Sequence, residues 1–175
     1  ANRMELNPVN FNLIDLIEHL ANLFGLKCKQ KGLKLKVDLF TNDENVLVYG
    51  DAKMLRQVLI NLLANAVKFT ENGHVKLSVE KKGDDDYLFS VFDTGDGIDL
   101  GAHEYIFEPF RQADHGKDHG GTGLGLSISK NQVEIMGGDL QVQSDKGSGA
   151  CFFFTITLEP AKGSDVKGFS KQNKV

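Results

Sequence analysis

Along residues 11–31 the apolar side chains Leu13, Ile14, Ile17, Leu20, Ala21, Phe24 and Cys28 recur every three or four positions and stop near Gly32. That period is the stripe of a core-facing helix. From Leu33 the period changes: Leu33, Leu35, Val37 and Leu39 alternate with Lys34, Lys36 and Asp38, which predicts a half-buried strand. The run NVLVYGD is a second short strand closing at Gly50, and Asp51 is placed to cap a following helix. Within that helix, LRQVLINLLANAVKFT at 55–70, Leu55, Val58, Leu59, Leu62, Ala66 and Phe69 form the stripe, while Ile60, Leu63 and Val67 widen it. A helix so apolar should be mostly buried.

After Gly73, HVKLSVEKK sets Val75, Leu77 and Val79 on one face, GDDD turns the chain, and YLFSVFD returns, which predicts a hairpin. Residues 99–123 are rich in glycine, histidine and aspartate, with YIFEPF as the apolar anchor, and read as a short helix followed by a long mobile loop. LGLSISKNQVEIMGG is helical again and stops at Gly137 and Gly138. DLQVQSD and ACFFFTITL close the domain as strands around KGSG, and beyond Pro160 the chain is polar and aperiodic, as a linker or frayed end is. These elements predict an α/β (α+β) two-layer sandwich. Its sheet is mixed and mostly antiparallel, of about five strands, covered on one face by three helices.

At 175 residues, 41% hydrophobic and 25% charged, the composition is that of one soluble globular domain, with no apolar run long enough to span a membrane. Cys28 and Cys151 have no metal-like spacing and read as reduced core residues of a cytosolic domain. A net charge of −4 argues against a broad nucleic-acid footprint, although local basic residues could hold phosphates.

The buried helix contains an oddity. Gln57, Asn61, Asn65 and Lys68 fall on one narrow strip of it. A buried amide left unpaired costs about 1–3 kcal/mol, so the strip must meet backbone groups, water or a ligand. Taken alone, the asparagines are satisfied core amides and Lys68 a snorkelling surface lysine. A second candidate is GGTGLGLSISK at 120–130, where Gly121, Gly123 and Gly125 leave backbone amides bare at a helix start, either a phosphate cradle or a plain hinge. DTGDGI at 93–98 follows a strand, making Asp93 a carboxylate aimed into a pocket or part of a simple turn. In ADHGKDHGG, Asp114, His115, Asp118 and His119 repeat at a spacing that on a helix binds zinc, but the intervening glycines favour a solvated loop. If the positive form of His115 or His119 contacts a bound phosphate, affinity for that ligand falls above about pH 6.5.

Taken in order, NLLAN at 61–65, DTGDGI at 93–98, IFEPF at 106–110 and GGTGLGLSISK at 120–130 resemble the nucleotide-binding domain of sensor histidine kinases. Its superfamily also includes gyrase-type topoisomerases, MutL and the ninety-kilodalton heat-shock chaperone. The likeness spans roughly residues 10–160, and GDAKMLRQVLINLLANAVKFT is typical of hybrid-type sensor kinases. It implies the Bergerat ATP-binding fold and the cofactors ATP and Mg2+. Asn65 would be a magnesium ligand and Asn61 a second ligand or water holder, with Lys68 against the phosphates. Asp93 would accept from the adenine amine, selecting ATP over GTP. Phe69, Gly95, Gly97, Ile98 and Phe107 would belong to the nucleotide site. Phe107 and Phe110 would anchor a lid at 111–120, and the amides of Gly121, Thr122, Gly123, Leu124, Gly125 and Leu126 would cap the phosphates. Gly147 and Gly149 match the family's last glycine pair.

In hydrolysing relatives the residue four before the magnesium asparagine is a glutamate base. Here it is Asn61, which takes no proton near neutral pH, so water attack should be poor. The family's phosphoacceptor histidine has no counterpart: only His103 precedes an acid, Glu104, and the following sequence differs. The implied chain is therefore a catalytic fragment. Residues 1–10 would end a dimerisation hairpin or linker, 11–160 form the catalytic domain, and 161–175 a polar tail. It would phosphorylate a histidine on the phosphoacceptor domain of a homodimeric parent, act indirectly on a receiver domain, and lie in the cytoplasmic part of a membrane-bound sensor. A nucleotide-gated module without transfer and an ATPase of the same superfamily are the alternatives. Two departures stand out: Asp96 adds negative charge near an anionic ligand, and Arg111, counted with the nucleotide site, falls one residue before the family's arginine, where Gln112 stands.

Overall fold

The computed structural model describes residues 4–110 and 122–163. In chain order its elements are β1 (Val9–Asn12), α1 (Leu13–Lys31), β2 (Lys34–Leu39), β3 (Leu47–Gly50), α2 (Ala52–Phe69), β4 (His74–Lys81), β5 (Asp86–Asp93), α3 (Gly125–Ile135), β6 (Gln141–Ser144), β7 (Ala150–Thr157) and β8 (Glu159–Pro160). A five-stranded sheet has the order β2-β4-β5-β7-β6. β2 lies parallel to β4 and the other neighbours pair antiparallel. The parallel pair requires a crossover, which β3 and α2 supply.

Strand alternation decides which side of this sheet is covered. Val75, Leu77 and Val79 of β4, Tyr87, Phe89 and Val91 of β5, and Phe152, Phe154 and Ile156 of β7 are all buried. They share a core with the apolar stripes of α1 and α2 and with Val133 of α3. Phe89 and Phe154 are register partners, stacked with ring centroids 5.3 Å apart. Cys151 occupies the opposite face of β7, beside Phe92, and is half-buried rather than a core residue; Cys28 is buried in α1, and both thiols are free.

The strand expected at NVLVYGD does not join the main sheet. β3 is the middle of a small sheet, β1-β3-β8, whose outer strands the hydrophobic pattern did not reveal. Helix α1 accordingly starts at Leu13. Asn12 ends β1 and caps α1 by accepting from the Ile14 N–H at 3.1 Å, and it also accepts from the Val46 N–H at 3.1 Å. Asp51 caps α2 as expected, accepting from the Met54 N–H at 2.9 Å, and its other oxygen takes the Asn7 N–H at 2.9 Å.

The short helix expected at the start of 99–110 is a single 3-10 turn, Leu100–Ala102, followed by successive turns. Ala102 and Ile106 enter the core, and Phe107 packs edge-on against Phe152 at 6.2 Å. Phe110, expected as a second anchor, is 77% exposed with φ 62°. Its N–H donates to the Gly123 carbonyl, and Ile106 takes the core position instead. Among the described residues no helix is long and apolar enough to cross a membrane.

Candidate nucleotide site

Asp93 continues the inward alternation of β5 after Tyr87, Phe89 and Val91, so a carboxylate occupies a position made for an apolar side chain. It is 6% exposed, and burial pushes its carboxyl above the usual range, against hydrogen bonds from the backbone of Gly95 and Ala150; Asp96 adds to the rise. The Gly95 N–H lies 2.8 Å from Oδ1. Asp96 itself is exposed, its charge directed to solvent.

The loop after β5 is locked to the turn between β6 and β7. Gly147 donates to the Asp96 carbonyl at 2.6 Å, and the Ile98 N–H donates to Ser144 Oγ at 2.8 Å. That hydroxyl donates in turn to the Gly149 carbonyl at 2.6 Å. The approach tolerates no side chain: a Cβ on Gly149, at φ 79°, would penetrate the Asp93 carbonyl oxygen and lie 3.0 Å from its carbon. A Cβ on Gly95 would collide with the Phe69 carbonyl oxygen and reach Asp93 Oδ1 at 2.9 Å. Gly95 is therefore where the end of α2 meets the buried carboxylate. Gly97 has φ 71° and lies equally close to the Asp145 backbone.

On α2 the polar strip has a definite use. Gln57 Nε2 donates to Asn61 Oδ1 at 3.1 Å, and Asn61 Nδ2 donates to Ser129 Oγ of α3 at 3.1 Å. The first asparagine thus bridges the two helices. Its oxygen has two lone pairs, one of which Gln57 uses. Asn65, one turn on, is half-buried, and among the described residues no hydrogen bond occupies its carboxamide. Lys68 is half-buried with Nζ 5.0 Å from the Phe69 ring centroid. The end of this helix is held by Lys31 of α1, whose Nζ donates to the Val67 carbonyl at 2.8 Å and the Lys68 carbonyl at 3.0 Å.

Helix α3 begins at Gly125 after Leu124, and no side chain caps it. Its first amides, including those of Gly125 and Leu126, therefore lack intrahelical acceptors at the positive end of the helix dipole, the arrangement that receives anions. Thr122 is exposed and Gly123 turns at φ 69°. Arg111, Gln112, the proposed lid with His115 and His119, Gly121 and the end of the polar tail lie outside the described residues. Three contributors escaped the sequence reading: Ser129, Ser144 and Lys31. Ser129 lay within a segment already singled out, and its position on the inner face of α3 was the available signal; nothing in the sequence points to Lys31.

Carboxamide oxygens on α2, with the uncapped α3 packed against that helix, suit a hard divalent cation shared with phosphate oxygens, so the residues present fit Mg2+ and a nucleotide. Residues 50–160 match the family model described as histidine kinase-, DNA gyrase B- and HSP90-like ATPase. The chain is 36% identical over 162 residues to hybrid signal transduction histidine kinase B of Dictyostelium discoideum, covering 89% of this chain and 8% of that protein. It is 40% identical over 155 residues to the circadian input-output histidine kinase CikA of Synechococcus elongatus, covering 87% and 20%. Similar solved structures include full-length ShkA in complex with AMPPNP, with TM-score 0.81 and 33% identity over 93% of this chain and 34% of that one. The nucleotide-free catalytic domain of histidine kinase ThkA has TM-score 0.73 and 31% identity over 88% and 99%. The chain thus spans a fifth or less of these two curated relatives but nearly all of an isolated catalytic domain.

Proposed function

We propose that this chain, which belongs to the family of histidine kinase-, DNA gyrase B- and HSP90-like ATPases, binds Mg-ATP and passes the γ-phosphoryl group to a histidine on a dimerisation domain outside the sequence. The observation that carries the reading is Asp93, a carboxylate buried at the end of β5 and joined through Gly95 to the end of α2. Beyond the lone pairs that take the Gly95 and Ala150 amides, the carboxylate has acceptor capacity to spare; it recognises the exocyclic amine of adenine and opposes the guanine carbonyl, a discrimination of about 1–3 kcal/mol. Phe69, Ile98 and Phe107 contribute to the same site. Amides from the glycine-rich segment into the first turn of α3 receive the phosphates, and Lys68 adds a positive charge.

Asn65 and Asn61 are the residues to hold Mg2+, which when bound neutralises charge between the phosphates. Every other contribution is positioning. Asn61 supplies no base for water, so hydrolysis is disfavoured and the γ-phosphoryl group is preserved. In transfer a nitrogen of the acceptor imidazole bonds to the γ-phosphorus as the bond to the bridging oxygen breaks, and ADP leaves. ThkA has been solved in complex with the response regulator protein TrrA; by the same logic the partners here are the parent's own phosphoacceptor domain, within a cytoplasmic homodimer, and through it a receiver domain. On this reading residues 1–10 are the end of a dimerisation hairpin or linker, 11–160 the catalytic unit, and 161–175 a polar linker or tail.

The test follows label from γ-labelled ATP and Mg2+, with the chain alone and with a histidine-bearing dimerisation hairpin. Acid-labile label on the hairpin is expected. Label released as phosphate from the chain alone would replace the reading by an ATPase, and ATP bound but left intact with an acceptor present would reduce it to a nucleotide-gated module.

A further inference from the structure

We infer that Ser129 is a positioning residue: by accepting from Asn61 Nδ2, its hydroxyl fixes the orientation of the carboxamide that takes part in holding Mg2+. Ser129 is fully buried on the face of α3 that meets α2, in a seam whose other members are largely apolar. A serine in a helix ordinarily turns its hydroxyl back to a carbonyl of the preceding turn, as Ser127 does to Leu124 at 2.9 Å. The hydrogen bond of Ser129 is instead with Asn61, at 3.1 Å across the interface. The far end of the same carboxamide takes Gln57 Nε2, so the chain Gln57, Asn61, Ser129 runs from an exposed side chain to a fully buried one.

The consequence follows from how an asparagine rotates. Its terminal torsion has a broad, roughly two-fold profile, so an unrestrained amide offers a cation its oxygen or its NH2 group with similar ease. Holding the nitrogen end removes that ambiguity and leaves an oxygen lone pair that neither neighbour uses. Gln57 alone is a weaker restraint, being exposed and long. One turn further along α3, Gln132 Oε1 is buried without a partner among the described residues, so it does not share the role of Ser129. The inference rests on the Mg-ATP reading above.

The test is titration of ATP, with Mg2+ and with EDTA, into the wild-type chain, Ser129→Ala, Asn61→Ala and the double variant. Ser129→Cys, which keeps the volume but accepts hydrogen bonds poorly, provides a second probe should the alanine variant melt early. Loss of one oriented hydrogen bond predicts an affinity lower by about three- to tenfold in Mg2+ for both Ser129 variants, with no change in EDTA. The double variant should match Asn61→Ala alone. Equal weakening with and without Mg2+ would reduce Ser129 to packing, unchanged affinity in both would show that Asn61 orients without it, and additive losses would mean that it acts elsewhere. Wild-type affinity independent of Mg2+ would instead remove the premise.

Discussion

Gly147 and Gly149 offer a controlled measurement of how closely the β6–β7 turn must approach Asp93. Both have positive φ, 85° and 79°. A Cβ on Gly147 meets nothing within 4 Å, whereas one on Gly149 would enter the Asp93 carbonyl and stand 3.1 Å from Thr94 Cα. For Gly147→Ala the cost is the left-handed conformation, about 1–2 kcal/mol, partly offset by about 0.4–1 kcal/mol from a less flexible unfolded chain. Gly149→Ala carries the same conformational cost and must also displace backbone, which adds about 1–3 kcal/mol by analogy with overpacked cores. At about 2–4 °C per kcal/mol for a domain of this size, Gly147→Ala should melt within about 6 °C of wild type and Gly149→Ala about 2–12 °C below the Gly147 variant. Because the displaced backbone carries Asp93, Gly149→Ala should also weaken ATP binding while Gly147→Ala leaves it nearly intact. Thermal melts and a nucleotide titration read both quantities. Equal melting temperatures and equal affinities for the two variants would refute the close-approach argument.

Burial holds the Asp93 carboxyl above its ordinary range, so its contribution to stability is fully present below the unfolded-state value and lost as pH rises through the folded one. Asp93→Asn should therefore melt higher than wild type at neutral pH without nucleotide, with the gap closing under acid, and should bind ATP about tenfold or more weakly for want of a charged acceptor. Melts at pH 7 and pH 4 with one titration check this. Lys31→Met removes the cation from the last carbonyls of α2 and should cost about 1 kcal/mol, read by denaturant midpoint. Asn12→Ala strips the cap from α1 and leaves the Val46 N–H without its acceptor, for about 2–3 kcal/mol in the same assay.

Periodicity located the three helices and the main strands because each buries one face, and burial writes its period into the chain. β1 and β8 were illegible for the same reason. They span Val9–Asn12 and Glu159–Pro160, too short to show a period, and their pairing with β3 joins residues distant in sequence. Asp93 could be recognised because a carboxylate interrupts an apolar alternation. The partners of Asn61 could not: which of its neighbours lies across a helix interface depends on the crossing of α2 and α3, a property of the whole packing. Phe110 shows the opposite error, an aromatic expected as an anchor that stands exposed, with its backbone at φ 62°.

The small sheet also sets a load path. Asn10 of β1 clasps the backbone of Lys162 through both ends of its carboxamide, at 2.6 and 2.8 Å, so the two extremities of the described chain are fastened to each other across β3. β3 runs directly into Asp51, whose two oxygens hold the Asn7 N–H on one side and the first turn of α2 on the other. Both extremities are thereby tied, through β3 and Asp51, to the head of the helix that carries Asn61 and Asn65.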